Sequence, residues 1–292
     1  MSLARGLALS ALGMQSIVDV GARAIIQAPN AGRPEPAPRV LPGEIRAPVG
    51  PPRASLSLAV VEPTGERPPR ATVFVLHGIR DRKESIRPWA EMLAGAGYRA
   101  VLVDLRGHGR STGDALTYGV VDAADLSQAL DLLESRGLAV GPIGAMGHSY
   151  GAATSIQWAG RDARVAAVVA VAPFATLRDV VPGYTVLPLP AAFVARVIDR
   201  AGTLGGFDPD AASPLDAIGR TRAPVLLVHG RADARIPPSH SQRIHAAAPD
   251  HSELVLVDGA GHDGVTGAPA ARLAQRSLAW FARAFGAAPD AA

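Results

Sequence analysis

After Arg70, short runs of apolar residues alternate with longer stretches in which apolar residues recur at helical spacing. Continuous apolar runs of this kind are typical of parallel strands that are buried on both faces of a sheet. The predicted strands are 72–76, 100–103, 143–146, 165–171, 225–228 and 254–257. The predicted helices are 89–93, 123–133, 152–159 and 273–285. This alternation predicts an α/β fold, with a mostly parallel central sheet and helices on both of its faces.

The segment before the sheet has a different pattern, and we treat residues 1–27 as an N-terminal helix or a possible signal or anchor segment. Residues 3–26 are mostly apolar, but no run reaches the roughly 18 to 20 apolar residues that span a bilayer. Three interpretations remain open: a helix of the domain, a signal peptide with 7–14 as its apolar core, or an amphipathic helix lying on a membrane surface. The compartment, cytoplasmic or exported or membrane-associated, depends on that choice.

Proline is concentrated in the next stretch, which excludes regular helix across most of it. We predict a Pro-rich linker at 28–53 and a first strand at 54–61, where small or polar residues alternate with apolar ones. The main domain is then 54–286, followed by a tail at 287–292. Within it, residues 174–207 interrupt the alternation of strands and helices and predict a small cap insertion. Its apolar side chains either cover the functional site or pack as ordinary core.

A Gly-x-Ser-x-Gly motif, Gly147 to Gly151, stands between the third predicted strand of the parallel region and an Ala-rich helix. A serine hydroxyl is a weak nucleophile, so it has to be held on a sharp turn where a base can reach it. The flanking glycines leave room for the close approach of the chain and the substrate. The motif in this position therefore indicates that Ser149 is a nucleophile.

With this motif, the chain from about Ala71 to Phe285 resembles the α/β-hydrolase superfamily, in its serine-nucleophile esterase and peptidase branch. The loop 229–237, His-Gly-Arg-Ala-Asp-Ala-Arg-Ile-Pro, resembles the family loop that carries the acid, and it matches Asp233 to that acid. The loop 258–262, Asp-Gly-Ala-Gly-His, resembles the family loop that carries the base, and it matches His262 to that base. The resemblance implies a catalytic triad of Ser149, Asp233 and His262, with Asp258 and Asp263 as the rival acids. The segment 208–215 is similar to a junction in prolyl-oligopeptidase-type and dienelactone-hydrolase-like proteins.

The first strand of the parallel region ends in His77-Gly78-Ile79, where family members place one oxyanion donor. We expect the backbone N–H groups of Ile79 and Tyr150 to form an oxyanion hole, which stabilises the negative charge of a tetrahedral intermediate. The simpler interpretation of His77 is a loop histidine that shapes the turn. The candidate substrate-pocket residues are His77, Phe174, Leu187 and Phe193.

The composition mainly excludes other classes of protein. Lys and Arg total 29 against 26 Asp and Glu, with no basic block, so nucleic-acid binding receives no support. The chain has no cysteine, which rules out disulfides, thiolate metal sites and a cysteine nucleophile. We find neither a nucleotide-binding glycine loop nor metal-ligand spacing, and we therefore predict no cofactor and no metal.

The sequence thus predicts a serine hydrolase of the carboxylesterase or lipase kind, acting on a small and apolar ester or related acyl substrate. An aminopeptidase or amidase, and an acyltransferase or perhydrolase, use the same triad and remain open. A non-catalytic module on this fold would be expected to lack a triad member. Dehalogenases and epoxide hydrolases are disfavoured because Ser149 occupies the place of their carboxylate nucleophile. The sequence predicts neither the oligomeric state nor the acyl length.

Overall fold

The structure is a computed structural model, and it describes residues 2–31, 43–65, 67–184, 189–264 and 270–286, with side chains from Met14 onward except that of Ala270. Within these residues, eight strands form one sheet in the order β1-β2-β4-β3-β5-β6-β7-β8. The strands are β1 Glu44–Val49, β2 Ala54–Val61, β3 Thr72–Leu76, β4 Arg99–Asp104, β5 Ile143–His148, β6 Val165–Val171, β7 Val225–Gly230 and β8 Ser252–Val257. From β4 onward in this order every pair is parallel, whereas β1 and β2 are antiparallel to their neighbours.

Helices cover both faces of this sheet. They are α1 Ser2–Ile26, α2 Arg87–Gly95, α3 Val120–Ser135, α4 Tyr150–Ala159, α5 Leu177–Val180, α6 Ala191–Gly205, α7 Pro214–Ile218, α8 Ser239–Ala247 and α9 Ala270–Ala284. Two short 3₁₀ turns lie at Val181–Tyr184 and Pro209–Ala211. The architecture confirms the predicted α/β fold.

The central strands are buried on both faces because their side chains alternate between two hydrophobic clusters. In β3, Phe74 and Leu76 belong to the cluster under α3 and α4, and Val73 and Val75 belong to the cluster under α2 and α9. Trp158 is fully buried and meets Phe74 edge-on, with the ring centroids 4.9 Å apart. Continuous apolar runs are therefore required in these strands, as the sequence pattern predicted.

The predicted Pro-rich linker at 28–53 contains a strand that the sequence analysis did not predict, at residues 44–49. These residues form β1, which pairs with β2 from Glu44 opposite Ala59 to Val49 opposite Ala54. Pro48 is tolerated because β1 is an edge strand, whose outer side needs no ladder hydrogen bond.

Helix α1 packs along α6, the long helix of the predicted cap insertion. Val18 and Ala22 are buried in this contact, and Asp19 forms a 2.6 Å ion pair with Arg200 of α6. A side chain at Gly21 would press against Val197, with its Cβ 3.1 Å from a Val197 methyl carbon, so the two helices approach closely there. Among the described residues, no helix combines the length and the apolar character that crossing a bilayer requires.

Candidate active site

Ser149 lies on the turn between β5 and α4, with φ of 54° and ψ of −113°. This left-handed backbone is strained for a residue with a side chain, and such strain is concentrated at functional sites. Glycine is required on either side of this serine for steric reasons. A Cβ at position 147 would overlap the Gly151 carbonyl group, and a Cβ at position 151 would overlap the Leu76 carbonyl group. The turn is fixed by the Ser149 N–H, which donates to Val171 O at 2.8 Å.

The structure brings His262 and Asp233 to this serine. His262 Nε2 is 2.9 Å from Ser149 Oγ, and His262 Nδ1 is 2.7 Å from Asp233 Oδ2. Since a carboxylate only accepts hydrogen bonds, Nδ1 carries the proton and Nε2 is free to accept the proton of the serine hydroxyl. All three side chains are buried.

Asp233 is held as an anion by several donors. Burial opposes its ionisation, but hydrogen bonds from His229, His262 and the Ile236 N–H outweigh burial and place the pKa of Asp233 below its usual value. The Asp233 Oδ1 atom accepts the Arg235 and Ile236 N–H groups, each at 2.9 Å. The charge on Asp233 is therefore present at neutral pH and orients the imidazole.

The rival acids lie elsewhere. Asp258 is exposed and pairs with Arg231 at 2.6 Å, and Asp263 is exposed and pairs with Arg235 at 3.1 Å. Neither is a hydrogen-bond partner of the His262 ring, because both ring nitrogens are already engaged.

The expected oxyanion donors also lie beside Ser149. Ile79 follows β3, Tyr150 is the first residue of α4, and both line the cavity that Ser149 faces. Among the described residues, no loop or turn carbonyl accepts a hydrogen bond from the N–H of Ile79 or of Tyr150. The Tyr150 N–H is at the start of a helix and so has no intrahelical acceptor, and the Ile79 N–H is in a loop without a backbone acceptor in the described chain, so a ligand could bind to both.

The Tyr150 side chain is locked below the cavity. Its hydroxyl donates to Asp122 Oδ2 at 3.0 Å and accepts the Tyr118 N–H at 3.0 Å. Asp122 also accepts the Thr117 hydroxyl at 2.7 Å. This buried network ties the first residue of α4 to the loop before α3.

Sequence reasoning missed His148, the residue before the serine. His148 Nε2 lies 3.1 Å from the His262 carbonyl oxygen, and the two rings are 4.9 Å apart. Burial and the proximity of His262 lower the pKa of His148, so a neutral ring donates to that carbonyl and fixes the His262 loop. Its place inside the Gly-x-Ser-x-Gly motif was the available signal.

His148, His262 and Asp263 also place one potential ligand atom each within 4.8 Å of one another in the described chain. No metal was predicted, because these residues come from two separate loops and have no ligand spacing in the sequence. Both ring nitrogens of His262 are engaged by Ser149 and Asp233, so a metal ligated by His262 would displace one of those contacts.

A cavity of about 460 Å³ opens beside Ser149. Its lining in the described chain is Gly21, Ala24, Ile25, Ile79, Arg80, Leu116, Tyr118, Ser149, Tyr150, Phe174, Val180, Val181, Tyr184, Leu189, Phe193, Val194, Val197 and Ile236. The predicted pocket residues Phe174 and Phe193 are among them, and Leu187 lies outside the described residues. Helix α1 contributes to the wall, a role that its sequence did not reveal.

His77 does not line this cavity, which corrects its inclusion among the pocket residues. It is fully buried, its Nε2 accepts the Leu105 N–H at 3.0 Å, and its Nδ1 lies 2.7 Å from the Gly78 carbonyl oxygen. Burial, reinforced by the neighbouring His108, lowers the pKa of His77 to about 4. His77 is therefore a neutral histidine that shapes the loop leading to Ile79.

The family model described as serine aminopeptidase, S33, matches residues 67–213, which is half of the chain. A second model, described as TAP-like protein, matches residues 207–278. A curated relative, the uncharacterized protein YqkD of Bacillus subtilis, is 26% identical over an alignment of 203 positions, which covers 65% of this chain and 64% of the relative. The chain thus spans less than two thirds of the length of that relative.

Solved structures of similar fold include esterases and peptidases. The Pyrococcus furiosus esterase Pf2001 superposes with a TM-score of 0.68 at 20% identity, covering 86% of this chain and 98% of the esterase. A puromycin-hydrolyzing peptidase of Mycobacterium tuberculosis superposes with a TM-score of 0.65 at 22% identity, covering 85% of this chain and 40% of the peptidase. At these identities the likeness concerns the fold.

Proposed function

This chain belongs to the serine aminopeptidase S33 family within the α/β-hydrolase superfamily, and we propose that it is a serine hydrolase that cleaves carboxylic esters through an acyl-enzyme on Ser149. The observation that carries the proposal is the contact between Ser149 Oγ and His262 Nε2, at 2.9 Å, on the wall of an apolar cavity. A nucleophile, its base and a place for an acyl group are thus adjacent.

In the proposed reaction, Ser149 Oγ attacks the ester carbonyl carbon while its proton moves to His262 Nε2. The tetrahedral intermediate then expels the alcohol, which leaves with the proton from His262. Water repeats the sequence on the acyl-enzyme: His262 takes a water proton, the hydroxide oxygen bonds to the carbonyl carbon, and Ser149 leaves with the proton returned. Asp233 keeps its negative charge throughout and stabilises the imidazolium ion.

The carbonyl oxygen becomes negatively charged in both intermediates. The N–H groups of Ile79 and Tyr150 are the proposed donors to it, and each donor of this kind contributes about 3 kcal/mol to the transition state. Because the side chains of Tyr150 and His77 are held by buried hydrogen bonds, neither donor has to reorganise during the reaction.

The cavity favours an apolar acyl group over the free α-amino group that an aminopeptidase binds. Of the described residues that line it, none is acidic, and Arg80 is the charged one. An ammonium group buried there would lack a carboxylate partner, which costs several kcal/mol. An acyltransferase with the same three residues differs only in the molecule that accepts the acyl group. It would be detected by formation of a new ester when an added alcohol takes the acyl group in place of water.

The test is hydrolysis of p-nitrophenyl esters from acetate to palmitate by the wild type and by Ser149→Ala. We expect kcat to fall by about 10⁴-fold or more for every ester. Ser155→Ala is the matched control, because this serine is buried too but lies within α4, where its hydroxyl donates to the Gly151 carbonyl oxygen. Retention of activity in Ser149→Ala, or an inactive wild type on all esters, would contradict the proposal. Activity on aminoacyl amides alone would support the aminopeptidase alternative.

A further inference from the structure

The large apolar side chains that are exposed in the described chain all lie on two neighbouring regions. They have exposed fractions between 44% and 69%. They are Met14, Ile17, Val20, Tyr184 and Leu189, and we call this set the mouth surface. Soluble proteins bury most side chains of this size or scatter the exposed ones, so their confinement to one place marks an interaction surface.

The mouth surface is continuous with the cavity beside Ser149. Tyr184 and Leu189 belong to it and also line the cavity. On α1, Ile17 and Val20 are followed one turn later by Gly21 and Ala24, which line the cavity as well. An apolar path therefore runs from the outside of α1 and the cap to the nucleophile.

Helix α1 is held in one orientation, so the mouth surface is a built feature of the molecule. Its opposite face is buried against α6, and Asp19 pairs with Arg200. At its C-terminal end, the Tyr118 hydroxyl donates to Ile25 O at 2.7 Å, and the Leu116 N–H donates to Ile26 O at 2.7 Å. These contacts leave the side with Met14, Ile17 and Val20 facing outward.

Among the described residues, unpaired cationic side chains lie on the elements that form this surface and the cavity wall, whereas Asp263, whose charge acts on Tyr184, is paired with Arg235. Arg23 of α1, Arg80 of the cavity wall and Arg196 of α6 are exposed and form no ion pair within the described chain. The acidic side chains on the same two helices, Asp19 and Asp199, are paired with arginines. An apolar stripe bordered by free guanidinium groups matches the acyl and headgroup layers of an anionic phospholipid membrane.

We propose that the mouth surface docks this protein onto an anionic phospholipid membrane, with α1 lying flat at the interface and the cavity open to the lipid. The substrate class is then an ester of a long acyl chain that partitions into the membrane and enters the cavity from it. The substrate part rests on the proposed function, whereas the docking part does not depend on catalysis.

The experiment is flotation of the full chain with vesicles of phosphatidylcholine alone and with added phosphatidylglycerol. The test variant is Ile17→Asp/Val20→Asp, at two exposed positions that do not line the cavity. The matched control is Gln242→Asp/Ala246→Asp, which adds the same charge at exposed positions of α8. We expect the wild type and the control to float with the anionic vesicles, and the test variant to bind at least about tenfold more weakly.

The far-UV circular dichroism spectrum, expected to be unchanged in the test variant, shows that it is folded without reliance on catalysis. Hydrolysis of p-nitrophenyl acetate in solution then tests the proposed function separately. Equal flotation of the test variant and the control would overturn the docking surface, as would a wild type that binds neither kind of vesicle. Sedimentation velocity tests whether a second copy of this chain, and not a membrane, covers the mouth surface. A dimer that Ile17→Asp/Val20→Asp converts to monomer, without vesicle binding by the wild type, would assign the surface to a second copy of this chain.

Discussion

The two sides of the cavity are built in different ways. On one side, Ser149, His262 and Asp233 follow strands of a single sheet, and glycines and buried histidines fix each loop at short range. On the other side, much of the wall comes from α1 and α6, which are far apart in the sequence and meet through apolar packing along their length and one ion pair. The comparison suggests a division of labour, in which the sheet side determines the chemistry and the helical side determines which acyl groups reach it.

The largest expected effect lies on the sheet side. Asp233→Asn keeps the size of the side chain but removes the charge that holds the His262 Nδ1 proton, so the imidazole loses its orienting partner. We expect kcat to fall by about 10³- to 10⁴-fold on acetate and decanoate esters alike. Steady-state kinetics on both esters check this, and Asp263→Asn, an exposed residue paired with Arg235, is the control. A loss confined to one acyl length would show that the two sides are not separable.

A change on the helical side should reduce activity on the long ester while leaving activity on the short one nearly intact. Val18 is buried between α1 and the domain, so Val18→Asp places an unpaired charge there and should release α1. We expect kcat/KM to fall by about tenfold or more on decanoate and by less than about twofold on acetate, because only the long chain uses the wall that α1 provides.

Limited proteolysis of Val18→Asp and the wild type checks the release of α1, because a detached helix is cleaved faster. Val20→Asp, an exposed position on the same helix, should keep the wild-type pattern with both soluble esters. Equal losses on acetate and decanoate in Val18→Asp would contradict the division of labour.

The pH dependence of stability is a further test of the sheet side, because the loop leading to Ile79 is held by His77, which is buried and neutral. The pKa of His77 is about 4 in the folded protein, against 6.5 for the free group. Between these two pH values the unfolded chain therefore binds a proton at His77 and the folded chain does not. The contribution of the neutral His77 ring to the free energy of unfolding is therefore complete above pH 6.5 and is lost as the pH falls towards 4. It amounts to about 2 kcal/mol between pH 7.5 and pH 5.

Urea unfolding at the two pH values measures this loss, and His77→Gln should show a smaller pH dependence even though it is less stable at pH 7.5. His108, His148 and His240 also have lowered pKa values and act in the same direction, so a residual slope is expected in the variant. A slope in His77→Gln as steep as that of the wild type would show that His77 is not the buried neutral group assigned to it.

The difference between the sheet side and the helical side of the cavity also explains which parts of the fold and the candidate site could be predicted from the sequence. The sheet strands followed from their apolar runs and Ser149 from its motif, whereas Asp233 and His262 were predicted because the loops that carry them, each a few residues after a strand, resemble the family's loops. The wall from α1 was not predictable in that way, because Gly21 and Val197 meet only through tertiary packing. The edge strand β1 was missed because Pro48 and the polar Glu44 and Arg46 interrupt its apolar pattern, which a strand that pairs on one side only can tolerate. His77 was placed in the pocket because its sequence position cannot tell a ring that faces the substrate from one that braces a loop.

The smallest effect tests the link between the two sides, which passes through Tyr118. Its hydroxyl donates to Ile25 O of α1, and its backbone N–H donates to the Tyr150 hydroxyl below the expected oxyanion donor. Burial raises the pKa of Tyr118, so this hydroxyl remains a neutral donor at working pH. Tyr118→Phe removes the contact with α1 alone, which is worth about 1 kcal/mol. We therefore expect faster hydrogen exchange in α1 and a KM about two- to fivefold higher for decanoate, with kcat on acetate unchanged.

Tyr150→Phe is the informative partner, because it leaves the buried Asp122 carboxylate without that donor and should lower kcat on both esters. If Tyr118→Phe lowered kcat on acetate as strongly as Tyr150→Phe does, α1 would act on the chemistry itself and the division of labour would fail.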